Sequence, residues 1–264
     1  MLQRIITGVL GIIPVILILF SNEIVVHIAV ALISIYALCE MYSAVGISKK
    51  TTVYVLSILF SAIFFIVEFK SIAPFLFAYV ILLLILVVFN HQNIKITDIS
   101  TALFMLFYIV FAMAHIIMVR KAPFGNINII LIFLGAFATD TFAYFVGVTM
   151  GKHKLCPEIS PKKTIEGAVG GLLGGVVCFL IMGYIVDATL NADVNYLHLI
   201  ILGLICSILS ELGDLAASII KRQYGIKDFG KILPGHGGVM DRLDSIIFIA
   251  PLIYYYIKYF PVIG

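Results

Sequence analysis

The chain has 264 residues, of which 62% are hydrophobic and only 12% charged; a soluble domain is nearer half apolar and a quarter charged. That excludes an ordinary soluble domain and marks an all-α, polytopic integral membrane protein. The net charge of +3 gives no reason to expect a nucleic-acid partner. Cys39, Cys156, Cys178 and Cys206 are scattered without paired spacing and read as small apolar residues, not a zinc or disulfide framework.

At roughly 20 residues per span plus a connection, the length allows about nine short transmembrane helices and no separate soluble domain. Hydropathy places them at about 5–20, 24–43, 52–68, 73–89, 101–118, 128–149, 165–186, 196–220 and 245–260. The first run leads from Arg4 to Ser21, Asn22 and Glu23 without a small-residue cleavage pattern, so it reads as a span and not a signal peptide. A cytoplasmic N-terminus puts Arg4, Lys49, Lys50, Lys95 and the basic residues of segments 150–164 and 221–244 inside. Lys70, Arg120, Lys121 and Lys258 then fall outside, and nine spans leave the C-terminus outside. Polar content rises after about residue 135. This divides the chain into lipid-embedded scaffold helices, 1–127, and a catalytic half, 128–264.

Asp140 sits midway along its span, between Thr139 and Thr141 and one turn before Tyr144. A carboxylate there costs roughly 2.5–3.5 kcal/mol unless paired or solvated. It reads as a ligand for a cation or a polar head group, or else as a structural hydrogen-bonding group. Ser160-Pro161-Lys162-Lys163-Thr164-Ile165-Glu166-Gly167 follows. Serine then proline suits an N-cap and first helical position. A helix starting at Ser160 would offer free N–H groups beside two lysines, a combination that suits phosphate; positive-inside anchoring is the plainer account of the lysines. Gly167, Gly170, Gly171, Gly174 and Gly175 have small-xxx-small spacing and point to close helix packing.

The densest stretch is 207–244. As a helix, Ser207, Glu211, Asp214, Ser218 and Lys221 line one face at steps of four and three, opposite Leu209, Leu212, Ala216, Ile219 and Ile220. A polar stripe on such a helix should turn into protein or a wet cavity. Asp214 lies about 10 Å along the axis from Lys221, at 1.5 Å per residue. Asp241 and Asp244 can share a face at a helix start. Between them and the stripe runs Pro234-Gly235-His236-Gly237-Gly238, whose glycines would let backbone approach a phosphate. Aspartates without a cysteine or histidine cluster favour hard oxygen ligation, hence magnesium. These are parts of a phosphoryl- or nucleotidyl-transfer site. Singly, each has a plain reading: Asp244 as a cap, His236 as a loop histidine, Lys221 and Arg222 as head-group anchors. Glu40, near an inner span end, reads as a residue that pairs or snorkels.

Ser218-Ile-Ile-Lys221-Arg222, then Lys227-Asp228, then Pro234-Gly235-His236-Gly237-Gly238-Val-Met-Asp241-Arg242-Leu-Asp244 resembles the signature of the CDP-diacylglycerol synthases, also called phosphatidate cytidylyltransferases. The upstream 160–167 segment and Asp140 are similar too, so the resemblance covers about residues 135–250. It implies that CTP and phosphatidic acid give CDP-diacylglycerol and pyrophosphate with Mg2+, beside which a second, monovalent or divalent cation can sit. Asp214, Lys221, Arg222, Asp241 and Asp244 are then the catalytic candidates, with Asp214, Asp241 and Asp244 as metal ligands. Asp140, Ser160, Lys162, Lys163, Thr164, Ser218, Lys227, Asp228, Gly235, His236, Gly237, Gly238 and Arg242 are candidates for binding the substrates. The resemblance further implies a homodimer. A short chain of this kind suits a bacterial inner membrane, with the site on the cytoplasmic side.

Two other readings fit some of these residues. Asp140 and Asp214 could be the buried sites of an ion- or anion-coupled transporter. A related enzyme could use another lipid phosphate, in the manner of a CDP-archaeol synthase or a dolichol kinase.

Overall fold

The computed structural model describes residues 14–15, 17–67, 69–232 and 237–264. Apart from one two-stranded ribbon, its regular structure is helical: α1 Glu23–Ala44, α2 Thr51–Ile66, α3 Ile72–Phe89, α4 Ile96–Lys121, α5 Gly125–Met150, α6 Ile165–Leu190, α7 Tyr196–Gln223 and α8 Met240–Tyr259. A helix stands at each expected position after the first, which lies largely outside the described residues. Among the described residues, α1, α3, α4, α5, α6 and α7 are long and apolar enough to cross a membrane. The 16-residue α2 is apolar but shorter, and α8 carries Asp241, Arg242, Asp244 and Lys258. The chain is thus an all-α polytopic membrane protein.

Local chemistry sets the boundaries. The polar break at Ser21-Asn22-Glu23 starts α1: the Asn22 side chain accepts a hydrogen bond from the Val25 N–H at 2.9 Å, and Glu23 complements the helix dipole. At α4, Asp98 in the first turn accepts from the Lys95 N–H at 2.8 Å. A π-helical turn, Phe107–Phe111, interrupts α4.

The helix start expected at Ser160 needs correction. Residues Ser160–Thr164 form a strand, β2, antiparallel to β1, Lys154–Cys156. The N-cap of α6 is Thr164, whose hydroxyl accepts from the Gly167 N–H at 3.1 Å. Ribbon pairing keeps Ser160 and Pro161 extended, and threonine supplies the capping oxygen four residues later. Glu166, in the first turn, accepts from the Lys152 and His153 N–H groups and contacts His153 Nδ1 at 2.6 Å, tying the ribbon to the helix.

The chain forms two compact units, Met1–Ala114 with Tyr224–Asp241, and His115–Gln223 with Arg242–Gly264. Within the first, several buried polar groups pair internally. The Tyr42 hydroxyl donates to the Ala102 carbonyl at 2.8 Å, and the Ser57 and Tyr79 hydroxyls lie 2.6 Å apart. The surface of α3 is apolar, with only Tyr79 and Leu83 buried, as a lipid-facing helix requires.

In the second unit, glycines set the spacing of α5, α6 and α7. A Cβ at Gly167 would stand 2.8 Å from the Ala143 carbonyl, and one at Gly171 would stand 2.9 Å from that of Thr139. At Gly170 and Gly174 it would strike Val146 and Phe142, and at Gly175 the Ser207 hydroxyl. The glycine spacing is therefore a packing stripe, with backbone against backbone. The Thr139 hydroxyl donates to Ser207 Oγ at 2.9 Å, which in turn donates to the Gly203 carbonyl.

Gly171→Leu should destabilise the protein by about 1–3 kcal/mol through overpacking. Val169→Leu on the exposed face of the same helix should not. Thermal unfolding of the two variants in detergent checks this, and equal melting temperatures would contradict the packing assignment.

Candidate functional site

The polar stripe of α7 turns inward as its spacing requires. Ser207, Glu211, Ser218 and Lys221 are buried, while Leu212 and Ile219 are exposed on the other side. Asp214 is partly open, with 30% of its side chain accessible.

Three elements bring charged partners to this stripe. On β2, Lys162 is exposed and Lys163 half-buried. Lys163 Nζ lies 2.5 Å from Glu211 Oε2 and 2.8 Å from Asp214 Oδ2. One ammonium thus bridges two carboxylates one helical turn apart. Burial alone lowers the pKa of Lys163, but the charges of Asp214 and Glu211, and the hydrogen bonds they accept, outweigh it; the net shift is upward. Lys163 therefore stays a cation.

From α5, Asp140 comes within electrostatic reach of Asp214, Lys163, Glu211 and Arg242. Its side chain is not sealed in the bundle. A carboxylate at mid-span is costly against acyl chains, which cannot solvate it. From α8, Asp244 interacts electrostatically with Asp214, Asp140 and Lys221. Gly213 permits this approach: a Cβ there would stand 2.5 Å from the Asp244 carbonyl. The Ser245 hydroxyl donates to the Ser210 carbonyl at 3.1 Å across the same contact. Asp244 is buried and its Oδ1 accepts from the Ser245 N–H.

This unit therefore gathers Asp140, Glu211, Asp214 and Asp244 with Lys163, Lys221 and Arg242. Among the described residues, no three acidic, histidine or cysteine side chains converge tightly enough to form a preassembled metal cage. The donors present are carboxylate oxygens, which fit Mg2+. That ion keeps several waters and is commonly held by one or two carboxylates together with substrate phosphates.

The remaining candidates lie as follows. Ser160 is half-buried and Thr164 is spent as the α6 cap. Arg222 is exposed and its Nε donates to the Ile159 carbonyl at 3.4 Å, on the ribbon turn. Lys227 and Asp228 are exposed. In the other unit, Asp241 Oδ2 accepts from the Phe229 N–H at 2.9 Å and the Gly238 N–H at 3.0 Å. Gly237 has φ +81, and a Cβ there would stand 2.8 Å from Asp241 Oδ2. Glycine is needed at that position on both counts. Gly235 and His236 lie outside the described residues.

Sequence reasoning placed Glu211 on the stripe but gave it no role. Its spacing of three from Asp214 was the available signal, since one lysine can span such a pair. Glu40 proves to be a buried pairing residue, accepting from the Met240 N–H at 2.9 Å.

Comparison with known proteins adds independent evidence. The chain is 45% identical over 123 residues to a phosphatidate cytidylyltransferase of Bacillus subtilis, a match covering 47% of this chain and 44% of that protein. Proteins of the same name from Staphylococcus haemolyticus and Staphylococcus aureus are 49% and 50% identical over 125 residues, covering 47% of this chain and 46% of theirs. The matches thus span about half the length of these curated relatives. A model of the cytidylyltransferase family, by contrast, matches residues 2–260. With almost the whole chain inside that match, the protein belongs to the cytidylyltransferase family.

Proposed function

We propose that this protein transfers a cytidylyl group from CTP to phosphatidic acid, giving CDP-diacylglycerol and pyrophosphate for phospholipid synthesis. The observation that carries this reading is the charged cluster around Lys163, Glu211 and Asp214 in a membrane chain of this family. The names of the relatives support the choice of lipid substrate.

The chemistry asks little of a general base. A phosphate oxygen of phosphatidic acid is already a nucleophile. It forms a bond to the α-phosphorus of CTP as the α–β phosphoanhydride bond breaks, and pyrophosphate leaves with that electron pair. What the reaction needs is orientation and charge neutralisation. Lys163, kept charged by its two carboxylates, can exchange those partners for a phosphate. Lys221, Arg222, Lys227 and Arg242 supply further positive charge. Lys162 and Ser160 offer a place for the lipid head group or the leaving pyrophosphate. Asp228, Ser218, Gly235, His236, Gly237 and Gly238 are assigned to positioning the nucleotide.

Asp214 and Asp244, which one unit brings together, would hold Mg2+. The role of Asp241 rests on its place one turn before Asp244 in the signature. Bound there, the ion would neutralise phosphate charge in the transition state. Asp140 would orient a polar head group or a second, monovalent or divalent cation. Residues 128–264 form the catalytic half in this reading, and 1–127 the scaffold. A homodimer in a bacterial inner membrane, with the site facing the cytoplasm, completes the proposal. The bacterial relatives and the basic segments at 150–164 and 221–244 support the membrane and its sidedness, while the homodimer rests on the family resemblance.

Purified protein in detergent micelles should release pyrophosphate only when CTP, phosphatidic acid and Mg2+ are all present, and excess EDTA should abolish release. Ion flux into vesicles without any turnover would instead support a transporter. Asp214→Asn should lower turnover by roughly 100-fold or more, the scale on which a removed electrostatic group acts. Turnover within twofold of the parent in a folded variant would remove Asp214 from the mechanism.

A further inference from the structure

Glu40 is a buried carboxylate on a helix otherwise made for lipid, and the mechanism above does not use it. It lies in α1, within the unit that also contains residues 224–241. Only 7% of it is accessible. Oε2 accepts from the N–H of Met240, 200 positions along the chain, at 2.9 Å. Oε1 is buried and has no hydrogen-bond partner among the described residues.

Met240 opens α8, and its N–H is among those a helix start leaves without an intrahelical partner. Val239, just before it, has no side-chain acceptor to cap the helix. Glu40 takes that place from a distant helix, and its negative charge suits the positive end of the α8 dipole. The surrounding backbone is shaped to admit it. A Cβ at Gly230 would run into Glu40 Oε1, and one at Gly238 into Glu40 Oε2. Asp241 accepts from the Phe229 and Gly238 N–H groups beside it. Two carboxylates therefore pin the amides of Phe229, Gly238 and Met240. A buried carboxylate oxygen with no partner costs free energy that an ordinary serine or asparagine cap would avoid.

We propose that Glu40 is a positioning residue: its carboxylate, reaching from α1, sets the conformation of the Gly237–Met240 turn, beside Phe229 and Gly230, within the signature that meets the nucleotide. The nucleotide part of this inference rests on the CTP reading above; the anchoring part does not. Glu40 touches no reacting atom, so its loss acts through the turn.

The experiment compares the full-length protein with its Glu40→Gln variant. Glutamine keeps the shape and one acceptor but removes the charge. Amide hydrogen exchange at Phe229, Gly238 and Met240 should quicken by at least about tenfold, the scale of a hydrogen bond to a charged group. Exchange elsewhere in α1 and α2 should stay unchanged. In turnover, KM for CTP should rise by about the same factor while KM for phosphatidic acid and the melting temperature hold. If Glu40→Gln does not fold, Gly230→Ala wedges a methyl group against the same carboxylate and should give the same local pattern. Unchanged exchange in the turn overturns the proposal, as does a uniform rise across the whole unit. Absence of CTP turnover in the parent protein defeats the functional reading alone, because the exchange comparison judges the anchor without substrate.

Discussion

Lys163 between Glu211 and Asp214 is the interaction on which the polar half of this protein depends. The two acids stand one turn apart on a helix whose opposite face is built for lipid. Without a cation between them they would be two like charges in a partly buried site, with Asp140 and Asp244 adding to the repulsion. The lysine comes from a short ribbon, not from a helix. The ribbon is tied down by Glu166 at one end and by the Arg222 contact to Ile159 at the other. A structural ammonium that a phosphate can attract is a natural starting point for binding an anionic substrate: it offsets part of the acidic charge and remains available as a cation.

That arrangement requires helices to approach more closely than ordinary side chains allow. Gly167, Gly171 and Gly175 let α6 lie against the backbone of α5 and the Ser207 hydroxyl of α7. Gly213 does the same between α7 and the first turn of α8. The close approach brings Asp140, Asp214 and Asp244 within electrostatic range of one another. Packing in the membrane gains nothing from expelling water, so van der Waals contact and internal hydrogen bonds must supply the cohesion. The Thr139–Ser207–Gly203 chain of hydrogen bonds is one such device, buried in the same contact.

Much of this was legible beforehand, for identifiable reasons. Long apolar runs fix helices almost regardless of context, so α1 to α7 fall where hydropathy places them. The inward face of α7 follows from the three- and four-residue spacing of Ser207, Glu211, Asp214, Ser218 and Lys221, and the glycine stripe of α6 follows from its own period. The start of α6 did not follow, because Ser160-Pro161 and Thr164 are both acceptable helix entries. Only the hairpin pairing with Lys154–Cys156 selects the second. The Lys163 bridge was hidden because it joins residues 48 apart. Glu40 was harder still: nothing near it in sequence indicates that its partner is an amide at the start of the last helix.

The central claim is that the acidic face of α7 is a binding site for a divalent ion with a nucleotide, and not only a structural ion-pair network. The most direct measurement titrates Mn2+, as a paramagnetic stand-in for Mg2+, into the purified protein with CTP present. The parent would be compared with Asp214→Asn and with Asp193→Asn, a change in the loop between α6 and α7. The account predicts that Mn2+ affinity falls by at least about tenfold in the first variant, as when a metal site loses a supporting group, and is unchanged in the second. Equal affinities in all three proteins would contradict it.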